Sequence, residues 1–265
     1  MIDVIIPAYN CKSTLERTLG SLVAQTDPNF KVIIVDDCST EDIKSIVDDY
    51  SSKLKITYIR NEENIGCGMS RQAGIDNSSS DFFCFIDADD VFMPYTVETF
   101  NSIIEANPQT EYIHSYFYEQ TYINGDHVII LRKDGFTWCH GKLYNRSLIN
   151  KFGIKNSPFT SRWADDSYFN SMCSELLKWT IVRIPTYLWC YNANSATRKD
   201  VQDNKDKSKT KIFLTAMEMS AKFVLQYKDK IDHLDQTINY LKNNGDVYDE
   251  EEQEIINRLL QFSKE

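Results

Sequence analysis

The first half of the chain alternates short apolar runs with segments whose apolar residues recur at helical spacing. The apolar runs lie at residues 3–7, 31–35, 55–60 and 81–86. The helical patterns lie between them, at residues 14–25, 41–50 and 67–77. Continuous apolar strands separated by helices predict a mostly parallel central sheet that is covered on both faces, an α/β fold. In such sheets ligands bind beyond the carboxyl ends of the strands.

The rest of the chain predicts an antiparallel addition and a helical tail. Residues 112–118 and 127–131 have the composition of strands, and Asn124-Gly125-Asp126 predicts the turn that joins them. Helical patterns follow at residues 210–224, 231–241 and 250–262. A polar stretch at 198–211 precedes them, and we expect it to be a mobile loop.

Composition excludes several classes of protein. The net charge of −10 disfavours nonspecific binding to nucleic acid or anionic lipid. Seven cysteines without a C-x-x-C pair argue against a disulfide framework and a zinc site. The first residues run straight into an apolar strand, and no run of about eighteen apolar residues occurs. We therefore expect a cytoplasmic protein without a transmembrane segment, for which peripheral membrane association stays open.

Acidic residues follow the fourth predicted strand. In Asp87-Ala88-Asp89-Asp90, two carboxylates stand one residue apart. Alternate residues at a strand end project the same way, so Asp87 and Asp89 can share one hard cation such as Mn²⁺ or Mg²⁺. The alternative is a helix N-cap formed by Asp90. This motif alone leaves both interpretations open.

Polar residues also follow the first two strands. Pro7-Ala8-Tyr9-Asn10 comes after strand one, and Asp36-Asp37 comes after strand two. A carboxylate at this position can accept a hydrogen bond from a nucleobase N–H or a ribose hydroxyl. Alternatively, Asp36 or Asp37 caps the next helix together with Ser39 or Thr40.

A glycine-rich segment opens the third predicted helix. It contains Asn64, Gly66 and, one turn into the helix, Arg71, an arrangement able to offer N–H groups and a cation to a phosphate. Alternatively, the glycines serve only close packing and Arg71 pairs with a surface acid. The spacing differs from that of a P-loop, which argues against a nucleoside triphosphatase.

The order of these motifs resembles glycosyltransferase family 2, whose members have the GT-A fold. The resemblance extends through Gly141-Lys142-Leu143-Tyr144-Asn145-Arg146 and Ala164-Asp165-Asp166-Ser167-Tyr168-Phe169 to Tyr191 and Ser195. It covers about residues 1–198 and predicts a catalytic domain there, with a mobile loop and C-terminal helical extension at 199–265.

The resemblance implies metal-dependent transfer of a sugar, with inversion, from a nucleotide-diphosphate sugar to an acceptor hydroxyl. The donor is usually UDP-linked, and the metal is Mn²⁺ or Mg²⁺. The implied metal ligands are Asp89 and Asp87, and Asp166 is the implied general base beside Asp165. The implied donor-binding residues are Pro7, Ala8, Tyr9, Asn10, Asp36, Asp37, Asn64, Gly66, Arg71, Asp87, Ala88, Asp89 and Arg198.

Two features depart from the family pattern or extend it. Asn192 and Asn194 replace an Arg and a His that the family often has, so a phosphate contact and a third metal ligand are missing from the motif. Arg198 or the Lys-rich residues 205–211 are candidates for the missing cation. Trp138, His140 and Trp163 are candidates for the acceptor side, since aromatic faces stack on sugars and bases. A core role for the tryptophans is the alternative.

Two rival functions remain at this point. A nucleotidyltransferase would show a glycine- and arginine-rich segment after strand one, which this chain lacks. A non-catalytic nucleotide-sugar-binding or scaffold protein would retain the pocket without needing every acid. The acceptor is expected to be a glycan or glycolipid, with a modified DNA base as a further option.

Overall fold

A computed structural model describes residues 1–133, 138–156, 164–192, 208–229, 231 and 249–262. The strands are β1 (Ile2–Ala8), β2 (Phe30–Asp36), β3 (Ile56–Arg60), β4 (Phe82–Phe85), β5 (Val91–Phe92), β6 (Tyr112–Ile123), β7 (Asp126–Arg132), β8 (Lys142–Asn145) and β9 (Trp179–Trp189). The helices are α1 (Leu15–Val23), α2 (Lys44–Tyr50), α3 (Cys67–Asp76), α4 (Thr96–Ala106), α5 (Arg146–Phe152), α6 (Asp165–Leu176), α7 (Ser208–Val224) and α8 (Glu250–Phe262).

The four apolar runs of the first half form the parallel part of a mixed sheet. β1 lies between β2 and β4 and is parallel to both, and β3 is parallel to β2. Over the described residues, the strand order is β3-β2-β1-β4-β8-β6-β9-β5, and β7 pairs with β6. The predicted parallel sheet and its helices are confirmed. The carboxyl ends of β1, β2 and β4 therefore meet at one edge.

Both faces of β1, β2 and β4 are buried, which explains why these strands are mostly apolar, whereas β3 at the edge of the sheet is partly exposed. In β1, Val4 and Ile6 pack with α1 and α2, whereas Ile5 packs on the opposite face with Ile75 of α3 and Phe169 of α6. A strand with one wet face would need polar residues at alternate positions. None is needed here, because helices cover both sides.

The predicted antiparallel addition is confirmed and is larger than expected. β6 and β7 form a hairpin whose two turn residues, Asn124 and Gly125, have φ angles of 52° and 90°. Positive φ at both positions is the type I′ geometry that Asn-Gly favours. β5, β8 and β9 were not predicted. β5 and β8 are too short to show periodicity, and Arg183 and Pro185 interrupt the apolar pattern of β9.

The C-terminal helices pack against the same core as the sheet. Leu214 and Met217 of α7 and Ile255 and Leu259 of α8 are buried in one cluster with Phe169. α7 begins at Ser208, inside the stretch predicted as a loop. Most of the other segment predicted as helix, 231–241, lies outside the described residues. Across the described helices, none combines the length and the apolar composition that a bilayer crossing requires.

Candidate active site

Backbone hydrogen bonds join the carboxyl ends of β1 and β2. The Asp37 N–H, one residue beyond β2, donates to the carbonyl of Ala8, the last residue of β1, at 2.8 Å. Pro7 and Ala8 are buried within β1, while Tyr9 is 39% exposed in the loop that follows. Asn10 Oδ1 accepts from the Thr40 N–H at 2.8 Å, which ties this loop to the one after β2. The predicted residues of the first two strand ends therefore lie together.

Asp36 occupies the end of β2 and is fully buried. Its Oδ1 accepts from the Ser39 N–H, and its Oδ2 accepts from the Tyr58 hydroxyl and the Arg60 guanidinium. Burial opposes ionisation, but these donors outweigh it and lower the pKa of Asp36. The carboxylate thus joins β2 to β3, and its predicted contact with the nucleotide-sugar donor stays a prediction.

Asp37 organises the entrance of α3. Its Oδ1 accepts from the Ile65 N–H and its Oδ2 accepts from the Gly66 N–H, both at 2.9 Å. Gly66 has a φ of 87°, a conformation that side chains other than glycine rarely adopt. The Asn64 side chain donates to the Asp37 carbonyl at 3.3 Å. Asp37, Asn64 and Gly66, which are predicted to bind the nucleotide-sugar donor, therefore lie together, and Asp37 holds the loop that precedes α3.

Arg71 lies at the centre of the crevice rather than at its rim. It is 4% exposed, and it donates to Asp165 Oδ2 at 2.6 Å and to Asp87 Oδ1 at 2.7 Å. It therefore bridges the end of β4 and the first turn of α6. Two carboxylates hold Arg71, because α3 places it directly between them. Its predicted contact with the nucleotide-sugar donor stays a prediction.

The acidic motif after β4 forms a turn, not a continuing strand. β4 ends at Phe85, and the Asp90 N–H donates to the Asp87 carbonyl at 3.0 Å. The turn brings Asp87 and Asp90 to the same nitrogen of His140, whose Nε2 is 4.0 Å from Asp87 Oδ2 and 3.9 Å from Asp90 Oδ2. The alternation argument for Asp87 and Asp89 presumed an extended backbone. In the turn, the partner of Asp87 is Asp90.

The group Asp87, Asp90 and His140 has the chemistry of a divalent metal site. Within the described residues, their ligand atoms lie within 4.8 Å of one another. Carboxylate oxygens and an imidazole nitrogen suit Mn²⁺. Burial, followed by the charges of Asp89 and Asp87, raises the pKa of Asp90 well above its usual value, and a cation would relieve this repulsion. The buried His140 Nδ1 has no hydrogen-bond partner among the described residues.

Tyr187 and Asn192 hold the acidic turn. The Tyr187 hydroxyl donates to Asp90 Oδ2 at 2.5 Å and accepts from the Asp87 N–H at 3.2 Å. The Asn192 side chain donates to Asp89 Oδ2 at 2.9 Å. Asn192, which replaces a family Arg, thus contacts the acidic motif directly. Ala88, between the acids, is buried.

Asp165 and Asp166 begin α6, where the helix dipole favours negative charge. Ala164 enters the helix with a φ of 67°, and this turn directs Asp165 inward to Arg71. Burial, followed by the charge of Asp165, raises the pKa of Asp166 to about 7. Arg71 and Lys142 oppose that shift. A carboxylate with this pKa is half ionised near neutrality and can accept a proton there.

Aromatic rings line one side of the acidic turn. The His140 ring stacks on Trp189 at 5.1 Å between centroids, and Trp138 meets Trp189 edge-on at 5.6 Å. Phe117 of β6 contacts both Trp138 and His140. Two of the three acceptor-side candidates therefore lie together. Trp163, the third, and Arg198 and Ser195 lie outside the described residues.

Sequence reasoning missed Tyr187, Trp189 and Lys142 as parts of the site. Lys142 is 1% exposed, and burial lowers its pKa to about 8. The one available signal was Gly141, which has a φ of 64° and where a Cβ would lie 2.5 Å from Ser115 Oγ. Such a required glycine marks a fixed turn between His140 and Lys142.

Comparison with known proteins places the chain in a family. The model of glycosyl transferase family 2 matches residues 3–164. An uncharacterized glycosyltransferase of Haemophilus influenzae is 43% identical over 114 residues, which is 43% of this chain and 38% of that protein. The putative teichuronic acid biosynthesis glycosyltransferase TuaG of Bacillus subtilis is 32% identical over 93 residues, which is 34% of this chain and 36% of that protein. The matched segments thus span little more than a third of these relatives.

Solved structures share the fold. S. aureus TarS 1–349 in complex with UDP has a TM-score of 0.67 and 19% identity, covering 98% of this chain and 70% of that one. The mannosyltransferase PcManGT of Pyrobaculum calidifontis, in complex with GDP-Man and Mn²⁺, has a TM-score of 0.55 and 14% identity, covering 93% and 76%. The family match spans more than half of the chain, and both solved structures share its fold. This chain belongs to glycosyltransferase family 2 and has the GT-A fold.

Proposed function

We propose that the chain transfers a sugar from a nucleotide-diphosphate sugar to an acceptor hydroxyl, with inversion at the anomeric carbon. The observation that carries this proposal is the Arg71 bridge, which joins a metal-competent acidic turn to a carboxylate pair at the start of α6. The UDP complex of TarS and the GDP-Man complex of PcManGT support a nucleotide-sugar donor, and UDP-sugars are the first choice.

Asp166 acts as the general base. An acceptor hydroxyl that attacks an oxocarbenium-like carbon must lose its proton, and a carboxylate whose pKa lies near the working pH accepts it best. Asp165 has a positioning role. Its carboxylate accepts a hydrogen bond from Arg71, and this ion pair fixes the first turn of α6. The side chain of Asp166 is partly exposed, so it is open to an acceptor in this proposal.

Asp87, Asp90 and His140 would hold a Mn²⁺ or Mg²⁺ ion. Asp89, whose pKa is raised by burial and then by the charge of Asp87, would be a further ligand. When bound, the ion neutralises the charge of the diphosphate leaving group. The nucleotide-sugar donor binds beyond the ends of β1 and β2, where ligands bind in open α/β sheets. The residues around Asp37 that contact it are Tyr9, Asn10, Asn64 and Gly66.

The acceptor lies on the side of Trp138, His140 and Trp189. Stacked rings offer flat apolar faces of the kind that pack on the C–H face of a sugar. A glycan or glycolipid is therefore the expected acceptor class. A modified DNA base, which would stack equally well, is disfavoured by the net charge of −10.

The donor half is tested by thermal unfolding with UDP, GDP and ADP, with and without Mn²⁺. A specific nucleotide at one hundred times its Kd stabilises the folded state by about 2.7 kcal/mol, so the Tm rises. We expect one of the three nucleotides to raise the Tm, and to raise it more in the presence of Mn²⁺ than in its absence. Asp87→Asn should remove the increment due to Mn²⁺, whereas Asp81→Asn, an exposed acid before β4, should keep it.

A donor-hydrolysis assay then separates catalysis from binding. Slow release of the sugar to water in the presence of Mn²⁺ is expected of a transferase without its acceptor. Binding without any hydrolysis or transfer would favour the non-catalytic alternative. No Tm shift with any nucleotide would contradict the donor assignment itself.

A further inference from the structure

β7 is an edge strand with backbone groups that point away from the sheet. It pairs with β6 along its whole length, and no described strand pairs with its other side. In a two-residue hairpin, Ile123 and Asp126 form the hydrogen-bonded pair next to the turn, and such pairs alternate along the ladder. The N–H and C=O groups of His127, Ile129 and Leu131 therefore face outward.

The side chains along this edge are apolar and exposed. Ile129 is 58% exposed and Leu131 is 41% exposed, and Tyr122 beside them on β6 is also exposed. Natural proteins usually interrupt such edges with lysine, proline or a bulge, because an unpaired strand recruits another strand. β7 carries none of these between its charged ends, Asp126 and Arg132.

We propose that β7 pairs with β7 of a second copy of this chain, antiparallel and about a two-fold axis at Ile129. This inference is independent of the proposed function. A two-fold axis makes the contact close on itself, as an isologous dimer requires. The register places Ile129 opposite Ile129 of the second copy and His127 opposite Leu131 of the second copy. All three outward-facing residues then lie in hydrogen-bonded pairs.

The same register is favourable on both faces of the joined sheet. Val128 meets Ile130 of the second copy, and Asp126 meets Arg132 of the second copy at each end. Cross-strand pairs of β-branched residues and of opposite charges both stabilise a sheet. Arg132 already pairs with Glu119 within its own chain, so the contact extends an existing ion pair. A shift of the register by two residues toward the turn would lose these charge pairs, because it would bring Asp126 opposite Ile130 and Arg132 opposite Asn124 of the second copy.

Sedimentation velocity of the full chain over a wide concentration range tests the proposal. We expect a reversible dimer. Ile129→Lys places two like charges opposite each other at the axis, and should give a monomer. Ile181→Lys is the matched control, because Ile181 is also 58% exposed but lies on β9, and this variant should still dimerise.

A cross-link tests the register. Ile129→Cys should form an intermolecular disulfide under mild oxidation, since paired residues bring their Cα atoms within the range of a disulfide. Ile181→Cys should not. A monomer at every concentration would overturn the proposal, and so would a dimer that survives Ile129→Lys. Loss of vesicle binding in Ile129→Lys, with a monomeric wild type, would assign the edge to a membrane instead.

Discussion

At the scale of single residues, the site is determined by how its charges are buried. Asp166 is half-buried beside Asp165, with Arg71 and Lys142 as the cations that face it and Asp87 as the further acid. Burial raises the pKa of Asp166 from 3.8 to about 7. The folded protein therefore binds this proton more tightly than the unfolded chain does. The stabilisation from the proton is complete below pH 4 and is lost as the pH rises through about 7.

Asp166→Asn should therefore separate stability from activity. At pH 8 the variant no longer holds a buried charge, so its Tm should exceed that of the wild type, while at pH 5 the two should nearly agree. Transfer should fall by about 10²-fold or more, since the base is lost. Thermal unfolding at both pH values and a transfer assay provide the measurement. Asp81→Asn is the exposed control, and near-normal turnover of Asp166→Asn would exclude Asp166 as the base.

The wild-type rate should depend on the same group. Asp166 must be ionised to accept a proton, so kcat should rise with pH and level off above about 7. A pH profile of initial rates at saturating donor measures this. A profile that is flat from pH 5 to pH 8 would assign the proton transfer to another group.

At the scale of elements, close packing of α3 on β1 positions Arg71. A Cβ at Gly74 would lie 2.2 Å from Ile5 Cγ2, and Ile5 is fully buried in β1. Only glycine lets the helix approach the strand this closely. The sequence showed several glycines in this segment, but only the packing shows that Gly74 is the one in contact.

Gly74→Ala should destabilise the protein by about 1–3 kcal/mol, because the added methyl group forces the helix away from the strand. Urea unfolding measures the change. Gly20→Ala is the matched control, since its Cβ would meet only Tyr50 Oη at 3.8 Å in the interior of α1. That control should gain about 0.5–1 kcal/mol from helix propensity. Equal effects of the two substitutions would contradict the close contact.

At the scale of the whole molecule, the C-terminal helices complete one face of the core. Leu259 of α8 and Leu214 of α7 are fully buried with residues of β4 and α6. This packing predicts that α7 and α8 unfold together with the sheet, although the chain was divided at residue 198 on the basis of its sequence. The boundary between a catalytic domain and an extension stays a prediction.

Leu259→Ala should lower the stability of the whole chain by about 2–5 kcal/mol, through lost burial and the cavity that remains. Tryptophan fluorescence reports on the rest of the chain, because no tryptophan lies in α7 or α8, whereas circular dichroism also reports on these helices. If all parts unfold together, both signals should show the same shifted transition. The exposed neighbour Gln261→Ala should change little. A fluorescence transition that does not move would show that the helices unfold on their own.

The layers of this protein and the edge where its site lies could be predicted from the sequence alone. Continuous apolar runs separated by helical patterns predict a parallel sheet covered on both faces, and the residues after those runs then meet at one edge. Such patterns of apolar residues can be recognised from the sequence because they involve residues that are close together in the chain. Short strands such as β5 and β8 carry too few residues for any pattern, so they could not be predicted.

Only the tertiary structure decided which charges meet at that edge. Arg71 and Asp165 are 94 residues apart in the chain, and no periodicity relates them. The turn after β4 brings Asp90 and His140 close to Asp87, while Asp89, whose pKa is raised first by burial, stays near enough for the charge of Asp87 to raise it further. Such pairings depend on where a backbone turns and on which side chains lose water there. Burial then sets the ionisation of each carboxylate, because desolvation acts on the folded protein alone.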